Sequence, residues 1–284
     1  MSEPLPRPPS EIFDDIIDLL HDDRNTLKCC CLLSKSWIPR ARRHLFRRIK
    51  IDGPSHLKAG RELFPDPAES PACHVRSLVI RGSDVQDAEE SGWIRSFINV
   101  TDFTVFVAEN SKLNFFHKFS PSIKCLHVYS ASHPLSNIFA LVCSFPFLED
   151  LTVENSEPIS SINQDDTAFR PSSSPPFNGT LMLKGYLEAT ATRMLNLPGG
   201  LNFKKIAWKS YSTEKEGPEF RRMATLMERC FHTLEYIDID FYEPSKPRPF
   251  PYGTGSVSDP DFLLRQSVRQ QFQLTCLKRQ NSKE

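Results

Sequence analysis

Residues that could bind a metal ion or act as nucleophiles are dispersed along this sequence. The chain has eight cysteines and eight histidines, but no C-x-x-C pair occurs and no nearby histidine lies at zinc-finger spacing. Cys73 and His74 adjoin an apolar segment, where packing accounts for both side chains. Motifs for nucleotide binding, zinc proteases and serine nucleophiles are missing. The sequence therefore predicts no catalytic residue, no metal site and no cofactor, and it favours a binding protein over an enzyme.

Charged and aromatic residues instead recur at fixed places in a short apolar pattern. The pattern has apolar residues at offsets zero, three and five, so offsets one, two, four and six would point to the opposite face of a strand. We expect that face to bind a protein target by charge complementarity. Its predicted target-binding residues are Arg76, Arg81, Lys124, His127, Tyr129, Glu149, Asp150, Glu154, Lys204, Lys209, Asp238 and Asp240. The alternative is a solvated face on which Lys204 neighbours Glu235 and Lys209 neighbours Asp240.

The elements that would position these residues are repeated strands. The pattern occurs seven times between residues 74 and 242, at spacings of 23 to 31 residues. It starts at Val75, Val100, Ile123, Leu148, Asn178, Phe203 and Leu234. Such spacing is typical of leucine-rich-repeat solenoids, in which each repeat supplies one strand to a parallel sheet and a helix packs behind it. The usual asparagine at offset eight is absent, so an α/β domain without repeats is the alternative.

The segment before the repeats predicts three short helices. The first spans about residues 11–20 with Ser10 as its cap, the second starts at Asp23, and the third has Ser36 as its cap and Pro39 in its first turn. About 38 residues cannot bury much surface alone, so we expect this unit to pack on a neighbour or a partner.

The same segment resembles the F-box motif. The resemblance rests on the order Pro9, Glu11, Ile12 and Ile16, a leucine pair, Leu27, and "LLSKSW" ending at Trp37. It covers residues 5–50 and is greatest to the F-box-like proteins abundant in mushroom-forming fungi. Pro8 stands in place of the usual leucine and Ser34 in place of the common cysteine. The resemblance implies that Pro9, Ile12, Ile16, Leu20, Leu27, Leu33 and Trp37 contact a Skp-type adaptor of a cullin-RING ubiquitin ligase.

These patterns predict an α/β protein in four parts. They are an F-box-like helical domain at 5–50, a linker at 51–73, the solenoid at 74–242 with an insertion loop at 156–177, and a Pro-rich, partly disordered tail at 243–284. The F-box resemblance implies a substrate receptor of a ubiquitin ligase, with an unknown protein as its target. The alternative is a scaffold whose N-terminal helices only cap the solenoid.

Composition restricts the remaining possibilities. The formal net charge is +0 and 25% of the residues are charged, which does not indicate a nucleic-acid-binding protein. The arginine-rich run at 35–50 is expected to be the solvated face of a helix. No apolar run reaches the ~20 residues needed to span a bilayer, and no signal peptide is recognised at the start. We therefore expect an intracellular protein, cytoplasmic or nuclear, whose cysteines are reduced and buried.

Overall fold

The computed structural model describes residues 9–66, 70–81, 96–107, 113, 116, 122–130, 133–156, 173–211 and 217–241. Its strands form one open, parallel, eight-stranded sheet in which strand order follows chain order. The strands are β1 (Arg48–Asp52), β2 (Ser77–Arg81), β3 (Asp102–Val107), β4 (Cys125–Ser130), β5 (Asp150–Asn155), β6 (Thr180–Gly185), β7 (Lys205–Ser210) and β8 (Tyr236–Phe241). The described helices are α1 (Ser10–Leu19), α2 (Arg24–Leu33), α3 (Ile38–Leu45), α4 (Pro54–Leu63), α5 (Leu135–Cys143), α6 (Glu188–Leu195) and α7 (Pro218–Arg229). The predicted α/β class and parallel sheet are confirmed.

Strands β2 to β8 coincide with the seven predicted apolar patterns. In β2 to β6 buried residues alternate with more exposed ones, as in β3, where Phe103 and Val105 are buried between more exposed neighbours, whereas β7 has three consecutive buried residues and no residue of β8 is buried. This period of two follows from the pleat of a strand. Helices are also predicted between the strands, and α5, α6 and α7 are present there. A further helix is predicted over residues 89–98, which lie mostly outside the described residues.

The predicted linker at 51–73 is wrong. Strand β1 ends inside it, α4 lies entirely within it, and a 3-10 turn follows at Pro71–His74. Gly53, with φ of 85°, leads the chain from β1 into α4, and Pro54 occupies the first turn, where its missing N–H costs no hydrogen bond. Leu57 is buried, so α4 packs on the fold.

The three N-terminal helices form around a small core. Ile17, Leu27, Cys30 and Ala41 are buried there, with Leu20, Cys31, Trp37 and Leu45 packed around them. Asp23 caps α2 as predicted, because its carboxylate accepts from the N–H groups of Asn25 and Thr26 at 3.1 and 3.0 Å.

Two of the predicted helix caps differ from the structure. Ser10 lies inside α1, whose N-cap is Pro9, so its hydroxyl does not cap the helix. Ser36 was predicted to cap the third helix, but the capping serine is Ser34. The Ser34 side chain accepts from the N–H of Ser36 and caps a 3-10 turn, Lys35–Trp37, that precedes α3.

The predicted insertion loop at 156–177 is too long at its C-terminal end, because its last residues pack in the fold. Pro175 and Phe177 at its end are buried, and the Phe177 ring lies 5.1 Å from that of Phe203. Asn178, the polar residue at offset zero, is exposed. Phe177 therefore supplies the buried apolar side chain that Asn178, at offset zero, lacks. Phe177 has a positive φ of 43°, which is uncommon for a residue other than glycine. Residues 157–172 lie outside the described residues.

Contacts divide the chain into two compact units. The first comprises residues 1–125, with α1 to α4 and β1 to β3, and the second comprises residues 126–284, with α5 to α7 and β5 to β8. The second unit buries Phe139 and Val142 of α5, Leu195 of α6 and Leu226 of α7. The predicted tail at 243–284 lies outside the described residues, so no structural outcome is attached to it.

Candidate functional site

Helix α1 has a wide apolar surface, and only part of it is buried against the neighbouring helices. Ile17 is buried and Leu20 is partly buried against α3 and the 3-10 turn. One stripe further round, Ile12, Ile16 and Leu19 are 49%, 48% and 82% exposed. Spacings of four and three residues place these three side chains on one face of the helix. We call Ile12, Ile16 and Leu19 the α1 stripe.

The predicted adaptor contacts fall into two groups. Pro9, Ile12, Ile16 and Leu33 are exposed and accessible to a partner. Leu27 is fully buried in the helical core, so its assignment as an adaptor contact is wrong. Leu20 and Trp37 are mainly packing residues, since both pack on that core and Trp37 also lies 5.1 Å from the Phe13 ring. Leu19 and Leu32, which the prediction omitted, are among the most exposed apolar residues.

A polar clamp fixes α1 on α3 beside the stripe. Asp18 accepts from Arg40 through both carboxylate oxygens, with Arg40 Nε 2.6 Å from Oδ1, and His44 Nε2 lies 2.7 Å from the same oxygen. The hydrogen bonds from Arg40 and His44 hold the pKa of Asp18 well below its usual range. The clamp fixes the side of α1 that packs and thereby leaves the stripe outward.

The open face of the sheet in the first unit carries three predicted target-binding residues. The Arg81 guanidinium stacks over the Phe106 ring of β3 at 4.4 Å. Arg76 donates to the carbonyl oxygen of Asn99 at 3.1 Å, and Lys124 is exposed immediately before β4. Arg76 immediately precedes β2 and Lys124 immediately precedes β4, while Arg81 ends β2, so the three residues do not form one cluster.

The other nine predicted target-binding residues lie in the second unit. Asp150 accepts from the N–H of Thr180 and so joins β5 to the start of β6. Glu154 pairs with Lys184 at 2.8 Å, and Lys209 lies 3.9 Å from Asp238. Lys209 of β7 lies opposite Asp240 of β8, as predicted. However, the Lys209 ammonium forms its ion pair with Asp238, which lies diagonally across the two strands.

These contacts favour a structural role for part of the predicted face. His127, Tyr129, Glu149 and Asp240 are partly exposed, and Lys204 is exposed. The structure brings Lys209 to Asp238 but does not bring the nine residues into one polar cluster. Lys184, which the prediction omitted, occupies offset six of its repeat, the position already used to select Arg81 and Glu154.

Among the described residues, no three His, Cys, Asp or Glu side chains are grouped as a metal site requires. Comparisons with family models, curated proteins and solved structures gave no match. Functional assignment therefore depends on the α1 stripe and the sheet surfaces. In the part of the chain that is described, no helix has both the length and the apolar character to cross a bilayer.

The cysteines differ in their surroundings. The seven described cysteines are free thiols, and Cys29 and Cys73 are exposed, which corrects the prediction that all are buried. Burial raises the pKa of Cys143 to about 11 and also raises that of Cys230. The raised pKa keeps both thiols protonated at neutral pH, although Cys143 is only partly buried, so they are packing residues and not nucleophiles.

Proposed function

We propose that this chain is a substrate receptor of a cullin-RING ubiquitin ligase. Its F-box-like helices would bind a Skp-type adaptor through the α1 stripe. The parallel sheet, interpreted as an irregular leucine-rich-repeat-like solenoid, would bind a protein target. The chain would act by proximity, because holding the target near the ubiquitin carrier raises their effective concentration without a catalytic residue here.

The exposure of the α1 stripe carries this proposal. Three large aliphatic side chains at helical spacing face outward on a helix whose adjacent apolar side already packs in a core. Fully burying an exposed aliphatic side chain contributes roughly 1.5–3 kcal/mol. Leu19 is 82% exposed and Ile12 and Ile16 are about half exposed, so a partner that covers all three gains substantial binding free energy. Leu32 and Leu33 at the end of α2 offer further exposed apolar surface.

A second function, a scaffold without a ligase, is favoured by one observation. Helix α3 packs against the 3-10 turn Pro71–His74 that leads into β2, and the helices belong to the same compact unit as β1 to β3. This contact suits an N-terminal cap on the sheet. It leaves the α1 stripe without a role, and for that reason the receptor function is preferred.

Co-purification with a Skp-type adaptor tests the receptor function. The full chain and the double variant Ile12→Asp/Ile16→Asp would each be co-expressed with the adaptor. We expect the wild-type chain to retain the adaptor and the variant to lose it, because charge in an apolar interface is costly to bury. Leu20 is left unchanged, since it packs on the helical core.

The matched control is Phe147→Asp/Phe231→Asp, which places the same two charges on exposed apolar positions of the second unit. It should retain the adaptor. Circular dichroism would establish that both variants are folded. Failure of the wild-type chain to bind an adaptor that captures a known F-box protein would reject the receptor function and support the scaffold.

A further inference from the structure

Five exposed arginines lie where helix α3 joins the sheet. Arg42 and Arg43 are in the last turn of α3, Arg47 follows that helix, Arg48 begins β1, and Arg76 precedes β2. The carbonyl oxygen of Arg47 accepts the N–H of Arg76 at 2.9 Å, so these two residues are backbone neighbours. We call these five residues the arginine cluster.

The cluster has no counter-charge among the described residues. No carboxylate there lies within the 4.0 Å ion-pair distance of any of the five guanidinium groups. Arg76 has a partner, but that partner is the neutral carbonyl oxygen of Asn99. Other cations do meet acids: exposed Lys50 pairs with Asp52 further along β1, and partly buried Lys184 pairs with Glu154, at 2.8 Å each.

The helix dipole explains only part of this arrangement. Cations in the last turn of a helix are stabilised by its negative end, which accounts for Arg42 and Arg43. Arg47, Arg48 and Arg76 lie outside the helix, and like charges on neighbouring strand positions are destabilising. Their accumulation therefore costs stability that a bound anionic group would offset.

The positive charge of the arginine cluster also affects the neighbouring His74. His74, in the 3-10 turn that contacts α3, has its pKa lowered by burial and by the nearby charges of Arg43 and Arg42. At neutral pH its imidazole is therefore neutral and adds no charge, so the positive charge at this surface belongs to arginine side chains. Guanidinium groups bind carboxylates through two parallel hydrogen bonds, which suits them to acidic partners.

We propose that the arginine cluster binds an acidic segment of a partner protein that carries several Asp or Glu side chains. A short acidic segment needs only this local field. A long polyanion such as DNA responds to the whole charge distribution, and the chain has a formal net charge of +0. The arginine cluster and the α1 stripe have no residue in common, so the cluster can be tested without the adaptor.

Fluorescence anisotropy with a labelled oligo-aspartate peptide tests the proposal, and an oligo-asparagine peptide of equal length is the probe control. The full chain would be compared with Arg43→Gln/Arg47→Gln and with the matched control Arg221→Gln/Arg222→Gln, two exposed arginines of α7. We expect the wild-type chain to bind oligo-aspartate but not oligo-asparagine. The affinity for oligo-aspartate should fall about tenfold in Arg43→Gln/Arg47→Gln and less than about twofold in the control variant, and added salt should lower it.

Three outcomes would overturn the proposal. They are no binding of oligo-aspartate by the wild-type chain, equal weakening in both double variants, and tighter binding of duplex DNA with the same dependence on Arg43 and Arg47. The last result would make the surface a nucleic-acid interface. Circular dichroism would check folding, and Arg47→Gln/Arg48→Gln would replace the first variant if the change within α3 unfolds it.

Discussion

At the residue scale, the Asp18 clamp shows how one carboxylate orients a whole helix. Asp18 is partly exposed, yet both of its oxygens accept hydrogen bonds from α3. Those bonds select the rotation at which Ile17 faces the core and the α1 stripe faces outward. The residue that carries the site geometry is therefore polar, although the proposed contact surface is apolar.

Replacing Asp18 by asparagine should reduce stability in a pH-dependent way. The pKa of Asp18 is lowered by folding, so its ionised form stabilises the protein above the ordinary carboxyl pKa, and this contribution is lost as the pH falls through the lowered value. Because the pair is partly solvent-screened, we expect a loss of about 1 kcal/mol at neutral pH, shrinking below about pH 4.

Urea unfolding at neutral and acid pH would measure this difference. Asp22→Asn is the matched control, because Asp22 is exposed and its one ion pair among the described residues is with the neighbouring His21, at 3.0 Å. Its free energy of unfolding should stay within about 0.5 kcal/mol of wild type. A loss in Asp18→Asn that does not depend on pH would mean that side-chain packing, and not charge, holds α1 on α3.

At the element scale, α2 carries both a core residue and a surface residue of the same type. Leu27 is fully buried, whereas Leu32 is 87% exposed. We expect Leu27→Ala to lower the free energy of unfolding by roughly 2–5 kcal/mol through lost burial and a cavity, and Leu32→Ala to change it by less than about 0.5 kcal/mol. Chemical denaturation followed by circular dichroism would measure both. Similar losses in the two variants would contradict the assignment of Leu27 to the core.

The same elements show what the sequence could predict. Strands β2 to β8 were predictable because two apolar residues at fixed spacing mark each one, as the buried Leu78 and Ile80 do in β2. Strand β1 was missed because its pattern is short and follows directly on the arginines of α3. Periodicity placed Leu27 and Ile16 on apolar stripes, but it cannot tell which side of a wide apolar arc packs internally. That choice depends on the Asp18 clamp, a contact between residues 22 to 26 positions apart.

At the scale of the whole molecule, the sheet is not buried equally along its length. The three apolar pattern residues at β7 are fully buried: Phe203 just before the strand, and Ile206 and Trp208 within it. The residues at the same offsets at β8 are only partly buried: Leu234, Ile237 and Ile239. Local stability follows such differences in packing.

Hydrogen exchange followed by mass spectrometry should therefore separate the two strands. We expect amides of 236–241 to exchange faster than those of 205–210, since the latter strand has partners on both sides. The internal reference is β6, which also lies between two strands and should match β7. Equal protection of β7 and β8 would indicate that the outer edge of β8 is covered in solution.

The agreement between strand order and chain order has a consequence for synthesis. Each strand pairs with the strand made immediately before it, and no strand must wait for one encoded much later. The distance in sequence that each pairing must close is one repeat, which keeps the entropy of loop closure small. A ribosome-bound chain could thus extend its sheet strand by strand as it emerges, each completed strand serving as the template for the next.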